Sequence, residues 1–272
     1  MYSVVIPALL LTCLADTLGG YLGGGLYVVH GDGWRGYCES FFFVNQLWFE
    51  DTSPGTNIPF WSLGFEVWYY IIFGAFRFIP GKGRWLAALA LMTIAGPRIL
   101  ALFPLWVAGF LTYRVCARLS VARGLGGAIA FTGVAAGIAL EAWGGGTGAG
   151  PENYVQDYAL GMALCSHIAG LKWLTTGWTP PNRIVAIVRF LANRTFSTYL
   201  YHLPIASFLI AIIPWPPGSF GGRAAIVAGT LVGCFLLAQW TELNKRPWRM
   251  FFGRCLDWVH LRIGRPVPTT RS

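Results

Sequence analysis

Apolar residues recur along the chain in runs long enough to cross a bilayer, separated by polar or basic connections. Eight such segments stand out, at 2–18, 59–79, 84–101, 104–116, 123–143, 155–175, 195–213 and 223–242. A helix rising about 1.5 Å per residue needs roughly 20 residues to span a hydrocarbon core of about 30 Å, and most of the segments come close to that length. The fourth is short, and Pro97 and Pro104 bracket a break before it, so 84–116 is expected to form a tight helical hairpin. The connection 19–58 is long. It carries a glycine-rich run from Gly19 to Gly25 and an aromatic patch from Phe41 to Phe49. That patch is too short to span and suits an interfacial or re-entrant piece. The pattern predicts an all-α polytopic membrane protein of about eight transmembrane helices. Its helical domain covers 1–250 and is followed by a basic tail over 251–272.

Composition points the same way. Hydrophobic residues make up 55% of the chain and charged residues 11%, against about 25% charged in soluble proteins. No basic region precedes the first apolar run and no processing site follows it, so a cleavable signal peptide is not expected. The net charge of +9 does not imply nucleic acid, because the charges sit at segment ends rather than on an aromatic-studded face. Of the 20 Lys and Arg residues, 17 fall in alternate connections: 77–84, 114–123, 172–194 and the stretch after Asn244. By the positive-inside rule both termini are cytoplasmic and the 19–58 loop is outside. Cys13, Cys38, Cys116, Cys165, Cys234 and Cys255 are scattered with no Cys-x-x-Cys pair, which supports neither a disulfide framework nor a metal site. Gly31–Gly36 fits a dinucleotide fingerprint by letter but lacks the strand and helix that the motif needs. The glycine run Gly144–Gly150 reads as an outer turn. Asn193-Arg194-Thr195 matches a glycosylation acceptor on the wrong side of the membrane.

The candidate chemistry lies in 59–80. Glu66 sits within the first turns of this apolar helix, where insertion of a charge costs about 2.5–3.5 kcal/mol. Ser62 precedes it by four residues, and Tyr69, Tyr70 and Phe73 follow at three, four and seven, so all share one side of the helix. The plain structural reading has Ser62 bonding backbone and Glu66 tying helices together; the functional one makes the stripe part of a site. Among the histidines, His30 and His260 fall in a loop and the tail, and His167 has a ready role in bonding a neighbouring helix. His202 lies eight residues, about 12 Å, into its segment, within Tyr199-Leu200-Tyr201-His202.

The string Trp61-Ser62-Leu63-x-x-Glu66-x-x-x-Tyr70 resembles the signature of the acyltransferase-3 family, integral-membrane O-acyltransferases that decorate glycans; Val67 stands where a second acid is usual. Tyr199-Leu200-Tyr201-His202 is similar to the family's Tyr-Leu-x-His stretch, Leu105–Leu111 to its Phe-x-x-Gly helix, and Glu242-x-x-Lys245-x-Pro247 to the exit from its last helix. The resemblance implies transfer of an acyl group, commonly acetyl, from cytoplasmic acyl-CoA to a hydroxyl of a saccharide or glycan. It implies polysaccharide O-acetylation, with membrane lipid around the protein, and location in a bacterial inner membrane. Glu66, Ser62, Tyr70 and His202 are the implied catalytic set, and Arg114 and Arg118 the candidate partners of CoA phosphates, although the positive-inside rule explains that pair equally well.

Family members normally have ten helices, with a catalytic histidine in the first. Met1-Tyr2-Ser3 resembles the start of the third, so the eight segments correspond to helices three to ten. The expectation is that two spans precede Met1 and that the 272-residue chain alone is inactive. Two other readings stay open: a transporter or channel with an intramembrane Glu/His site, and a non-catalytic remnant. Glu66 lies about 10 Å from the outer edge and His202 about 12 Å from the inner one, leaving roughly 8 Å of depth between them, which argues against a simple dyad.

Overall fold

The computed structural model describes residues 1–23, 27, 29, 31–143, 154–213, 218–244, 246–251 and 253–254. His30, Gly144–Gly150, Lys245, Cys255, His260 and nearly all of the 251–272 tail lie outside the described residues. Among the described residues the chain is helical and has no strand. In order the helices are α1 (Tyr2–Leu22), α2 (Gly33–Phe41), α3 (Trp61–Phe78), α4 (Gly83–Ala95), α5 (Pro97–Arg118), α6 (Arg123–Trp143), α7 (Tyr154–Leu174), α8 (Asn182–Ala192), α9 (Thr195–Ile212) and α10 (Phe220–Ala238). A 3-10 turn, Ile58–Phe60, leads into α3, and a π-helical turn, Gln239–Leu243, follows α10.

Among the described residues five helices are long and apolar enough to cross a membrane: α1, α5, α6, α9 and the stretch Phe220–Phe251 that α10 opens. Within 84–116 the chain turns at Gly96, just before Pro97, rather than between Pro97 and Pro104. Gly96 ends α4 at φ +84°, a conformation that favours glycine, and Pro97 occupies the first turn of α5, where its missing N–H costs nothing. Helix α5 then runs unbroken through Pro104. Helix α4 has 13 residues, about 20 Å, and alone falls short of a bilayer. Neither α2 nor α8 was among the eight expected segments.

The chain divides into two compact units: Met1–Asn45, Thr52–Trp61 and the part from Asn182 onward form the first, and Gln46–Asp51 with Ser62–Pro181 form the second. In the first unit α1 packs on α9 through Val4, Val5, Ala8 and Thr12, all buried at helical spacing. Tyr201 donates to the Val4 carbonyl at 3.2 Å, and the Asn57 amide donates to Thr12 Oγ1 at 3.2 Å and to the Leu200 carbonyl at 2.9 Å. Tyr199 donates to the Pro59 carbonyl at 2.6 Å. These bonds fix both the height and the rotation of α9.

The second unit is built from α3 to α7. Helices α6 and α7 are antiparallel and approach through small residues: an added Cβ on Gly126, Gly133 or Gly170 would overlap the facing helix. Tyr158 of α7 donates to the Ala101 carbonyl of α5 at 2.5 Å, and Gly161 leaves room for Leu105. Helix α3 lies along α5 through a ladder of rings, Tyr69 with Phe103 (5.4 Å) and Phe73 with Trp106 (5.6 Å) and Phe110 (6.1 Å).

Candidate functional site

Glu66 and Tyr70 meet as the helical spacing predicts: the Tyr70 hydroxyl donates to Glu66 Oε1 at 2.9 Å, one turn apart on α3. The Tyr70 ring stands edge-on to Trp106, 5.7 Å away, which sets the phenol on the α5 side of the carboxylate. Tyr69, the adjacent residue, turns inward and is buried, donating to the Ile99 carbonyl at 3.1 Å. Helix α3 is thereby pinned to α5 in rotation, so Glu66 is half-buried rather than swung to the open side. Its Oε2 carries no hydrogen bond among the described residues and remains free to accept one. Ser62 stands one turn earlier and is also half-buried. A carboxylate with one oxygen fixed by a phenol and the other open can take or balance a proton from a bound hydroxyl.

His202 belongs to the first unit and Glu66 to the second. Helix α9 is turned so that Leu200 and Tyr201 are buried, and His202 lines a cavity of about 450 Å3 with Thr198, Tyr199, Leu231 and Phe235. Its Nδ1 lies 2.8 Å from the Tyr199 carbonyl and 3.2 Å from that of Thr198. Carbonyl oxygens only accept, so Nδ1 is the donating nitrogen of this ring and Nε2 is the one left uncommitted to backbone.

The other expected residues are placed more plainly. Arg114 and Arg118 are exposed on the last turns of α5; the Arg114 guanidinium sits over the Phe110 ring at 5.8 Å, and Arg118 meets the negative end of the helix. His167 bonds the neighbouring helix as anticipated, its Nδ1 2.8 Å from the Ala130 carbonyl of α6. Glu242 lies in the π-helical turn and accepts from the Ser197 backbone N–H at 3.0 Å, satisfying a donor in the first turn of α9.

Two acids escaped the sequence reading. Asp16 of α1 is buried and accepts four hydrogen bonds: from Tyr27 (2.7 Å), Tyr37 (3.1 Å), Thr56 Oγ1 (2.6 Å) and the Thr56 backbone (3.1 Å). It clasps the 19–58 connection to α1. Burial, with the Asp16 charge beside it, pushes the Tyr27 phenol up to about 12 against the lowering effect of Thr56; burial and Asp16 raise Tyr37 further. Asp16 also borders an apolar cavity of about 690 Å3 lined by Leu9, Cys13, Trp34, Cys38 and Phe41. The second acid is Asp51, paired with Arg98 at 2.9 Å. Burial would raise its carboxyl, but hydrogen bonds from Arg98 and Gln46 outweigh that and hold it below the usual carboxylate range. The signal lay mainly in distant partners, Tyr27, Tyr37 and Thr56 for Asp16 and Arg98 for Asp51, which no local spacing reveals.

A family model described as "Acyltransferase domain" matches residues 2–239, the greater part of the chain. No curated protein and no solved structure matches it significantly.

Proposed function

Since the chain belongs to the acyltransferase-3 family of membrane acyltransferases, we propose that it transfers an acyl group, acetyl in the first instance, from acyl-CoA to a hydroxyl of a saccharide or glycan acceptor. The observation that carries the reading is the Glu66–Tyr70 pair at 2.9 Å on an otherwise apolar helix. An acid half-buried on a largely apolar helix, with one oxygen held by a phenol, is a candidate proton acceptor.

The reaction forms a bond from the acceptor oxygen to the thioester carbonyl carbon and breaks the bond from that carbon to sulfur. The hydroxyl proton must go to a base, and the departing CoA thiolate takes up a proton in turn. Glu66 supplies the negative charge that favours proton removal at the acceptor oxygen, with Tyr70 holding its orientation and Ser62 offering a further hydroxyl one turn above. His202, with Nδ1 committed to backbone, offers Nε2 as a second proton-accepting group. Arg114 and Arg118 supply cations for the CoA phosphates. A bacterial inner membrane provides the geometry, with donor inside and acceptor outside.

The test is reconstitution of the full-length protein in liposomes with acetyl-CoA and a glycoside acceptor. The expected result is acetyl ester on the glycoside in step with release of CoA thiol. Proton- or ion-coupled flux of the glycoside without ester formation would instead identify a transporter.

A further inference from the structure

The strap Gln46–Asp51 of the second unit is built with more care than a connection needs. Trp48 is held at φ +57°, a conformation that side-chain-bearing residues rarely adopt. Its N–H donates to the Ala95 carbonyl at 3.1 Å, and its backbone lies where a Cβ on Gly96 would stand. Arg98, whose side chain is 13% exposed, donates to the Glu50 carbonyl at 2.7 Å and pairs with Asp51 Oδ2 at 2.9 Å. Gln46, fully buried, donates to Asp51 Oδ1 at 3.1 Å. Strain that surrounding contacts over-determine in this way is typical of ligand clamps.

What the strap and the start of α5 enclose, together with Tyr154 at the start of α7, is a cavity of about 470 Å3, lined by Phe49, Asp51, Pro97, Arg98, Ala101 and Tyr154. That is within the usual range for a small ligand. Its chemistry is specific. Phe49 is 80% exposed and offers a ring face at the cavity, with Trp48 edge-on to it at 6.3 Å. The Asp51 carboxylate, 64% exposed, is fixed from behind by two donors and keeps lone pairs toward the opening. Held below the usual carboxylate range, it stays ionised and accepts hydrogen bonds from neutral donors. With one carboxylate against one guanidinium already engaged, the cavity has no spare positive charge for a phosphate. An apolar ring face, an ionised acceptor and a phenol together fit a neutral ring that carries hydroxyls on its edge and C–H bonds on its face.

We propose that the Phe49–Asp51–Arg98–Tyr154 cavity binds a neutral pyranose, the ring stacking on Phe49 and its hydroxyls donating to Asp51. The proposal rests on the acyltransferase reading for its role as an acceptor subsite. It lies close to the Glu66 helix: Tyr69, three residues after Glu66, bonds the carbonyl of Ile99, which follows Arg98. From Ala101 to Trp106, the residue under the Tyr70 ring, is about 7.5 Å along α5. The cavity also occupies the end of this unit opposite Arg77, Lys82, Arg84, Arg114, Arg118 and Arg123, the expected outer end.

The test is ligand-observed saturation-transfer NMR on the full chain in nanodiscs, with methyl β-glucopyranoside as probe. The expected result is saturable binding that weakens at least tenfold in both Phe49→Ala and Asp51→Asn. Phe49→Ala, at an exposed position, should melt at the wild-type temperature, so loss of fold does not explain its loss of binding. Unchanged binding in both variants, or displacement by glucose 6-phosphate as effective as by the neutral glycoside, would overturn the proposal. The same samples separate it from the acyltransferase reading. Glycoside binding through Phe49 with no ester formed from acetyl-CoA sinks the enzyme and leaves the sugar site. Ester formed at the wild-type rate by Phe49→Ala at subsaturating glycoside sinks the sugar site and leaves the enzyme.

Discussion

At the scale of the residue, the chain tolerates an acid in α3 because a phenol one turn on holds it. A hydrogen bond to a charged group is worth about 1.5–3 kcal/mol, so Tyr70→Phe should lower the rate of acyl transfer by roughly 10- to 100-fold while leaving expression intact. His202→Ala should be milder than loss of Glu66, a comparison readable from kcat of the two variants side by side. Arg114→Ala with Arg118→Ala should raise KM for acyl-CoA several-fold with kcat little changed, since these exposed cations would bind donor and transition state alike. Removing them without any effect on KM would leave them as topology signals only. The Tyr27 phenol gives a pH prediction. Its pKa is raised in the folded protein to about 12, so its contribution to stability is full below the unfolded value of about 10 and is lost as pH rises through the folded one. Alkaline titration should therefore loosen the 19–58 connection between about pH 10 and 12, and Tyr27→Phe should shrink that loss, leaving the share that Tyr37 contributes through the same carboxylate.

At the scale of the element, Gly96 is the residue that no other can replace. It combines φ +84° with the Trp48 backbone against its Cα. Gly96→Ala should cost about 1–3 kcal/mol in detergent unfolding. Gly74→Ala, in mid-helix with only Phe78 within reach of a new Cβ, should be neutral or slightly stabilising. The spans α1, α5, α6, α9 and α10 were legible because a long apolar run, in a chain with so little charge, finds its solvent in lipid and closes its backbone bonds as a helix. Helix α8 was not, since its apolar and basic residues alternate at helical spacing and dilute any run. The hairpin break was misplaced because a proline reads as a breaker, yet a membrane helix absorbs one where neighbours satisfy the freed carbonyl; the glycine before Pro97 set the turn instead. Of the site, the Glu66–Tyr70 bond followed directly from i, i+4 spacing. The orientation of His202 did not, because it depends on how Tyr199, Leu200 and Tyr201 are bound by segments far earlier in the chain.

At the scale of the whole molecule, the distribution of basic residues sets the expected orientation. Cys38 should react with an impermeant thiol reagent in intact cells, and Cys116 only after permeabilisation; labelling of Cys116 from outside would reverse the topology. In the proposed reaction that orientation would place acyl-CoA at the basic end and the glycoside at the other. Everything then converges on one carboxylate, and the most direct measurement is acetyl transfer from acetyl-CoA to a glycoside by the full-length protein and its Glu66→Gln variant, each in liposomes with equal amounts inserted. The account predicts ester formation by the wild type and a loss of at least about 100-fold in the variant, with the melting temperature retained. Transfer by Glu66→Gln at the wild-type rate would contradict it.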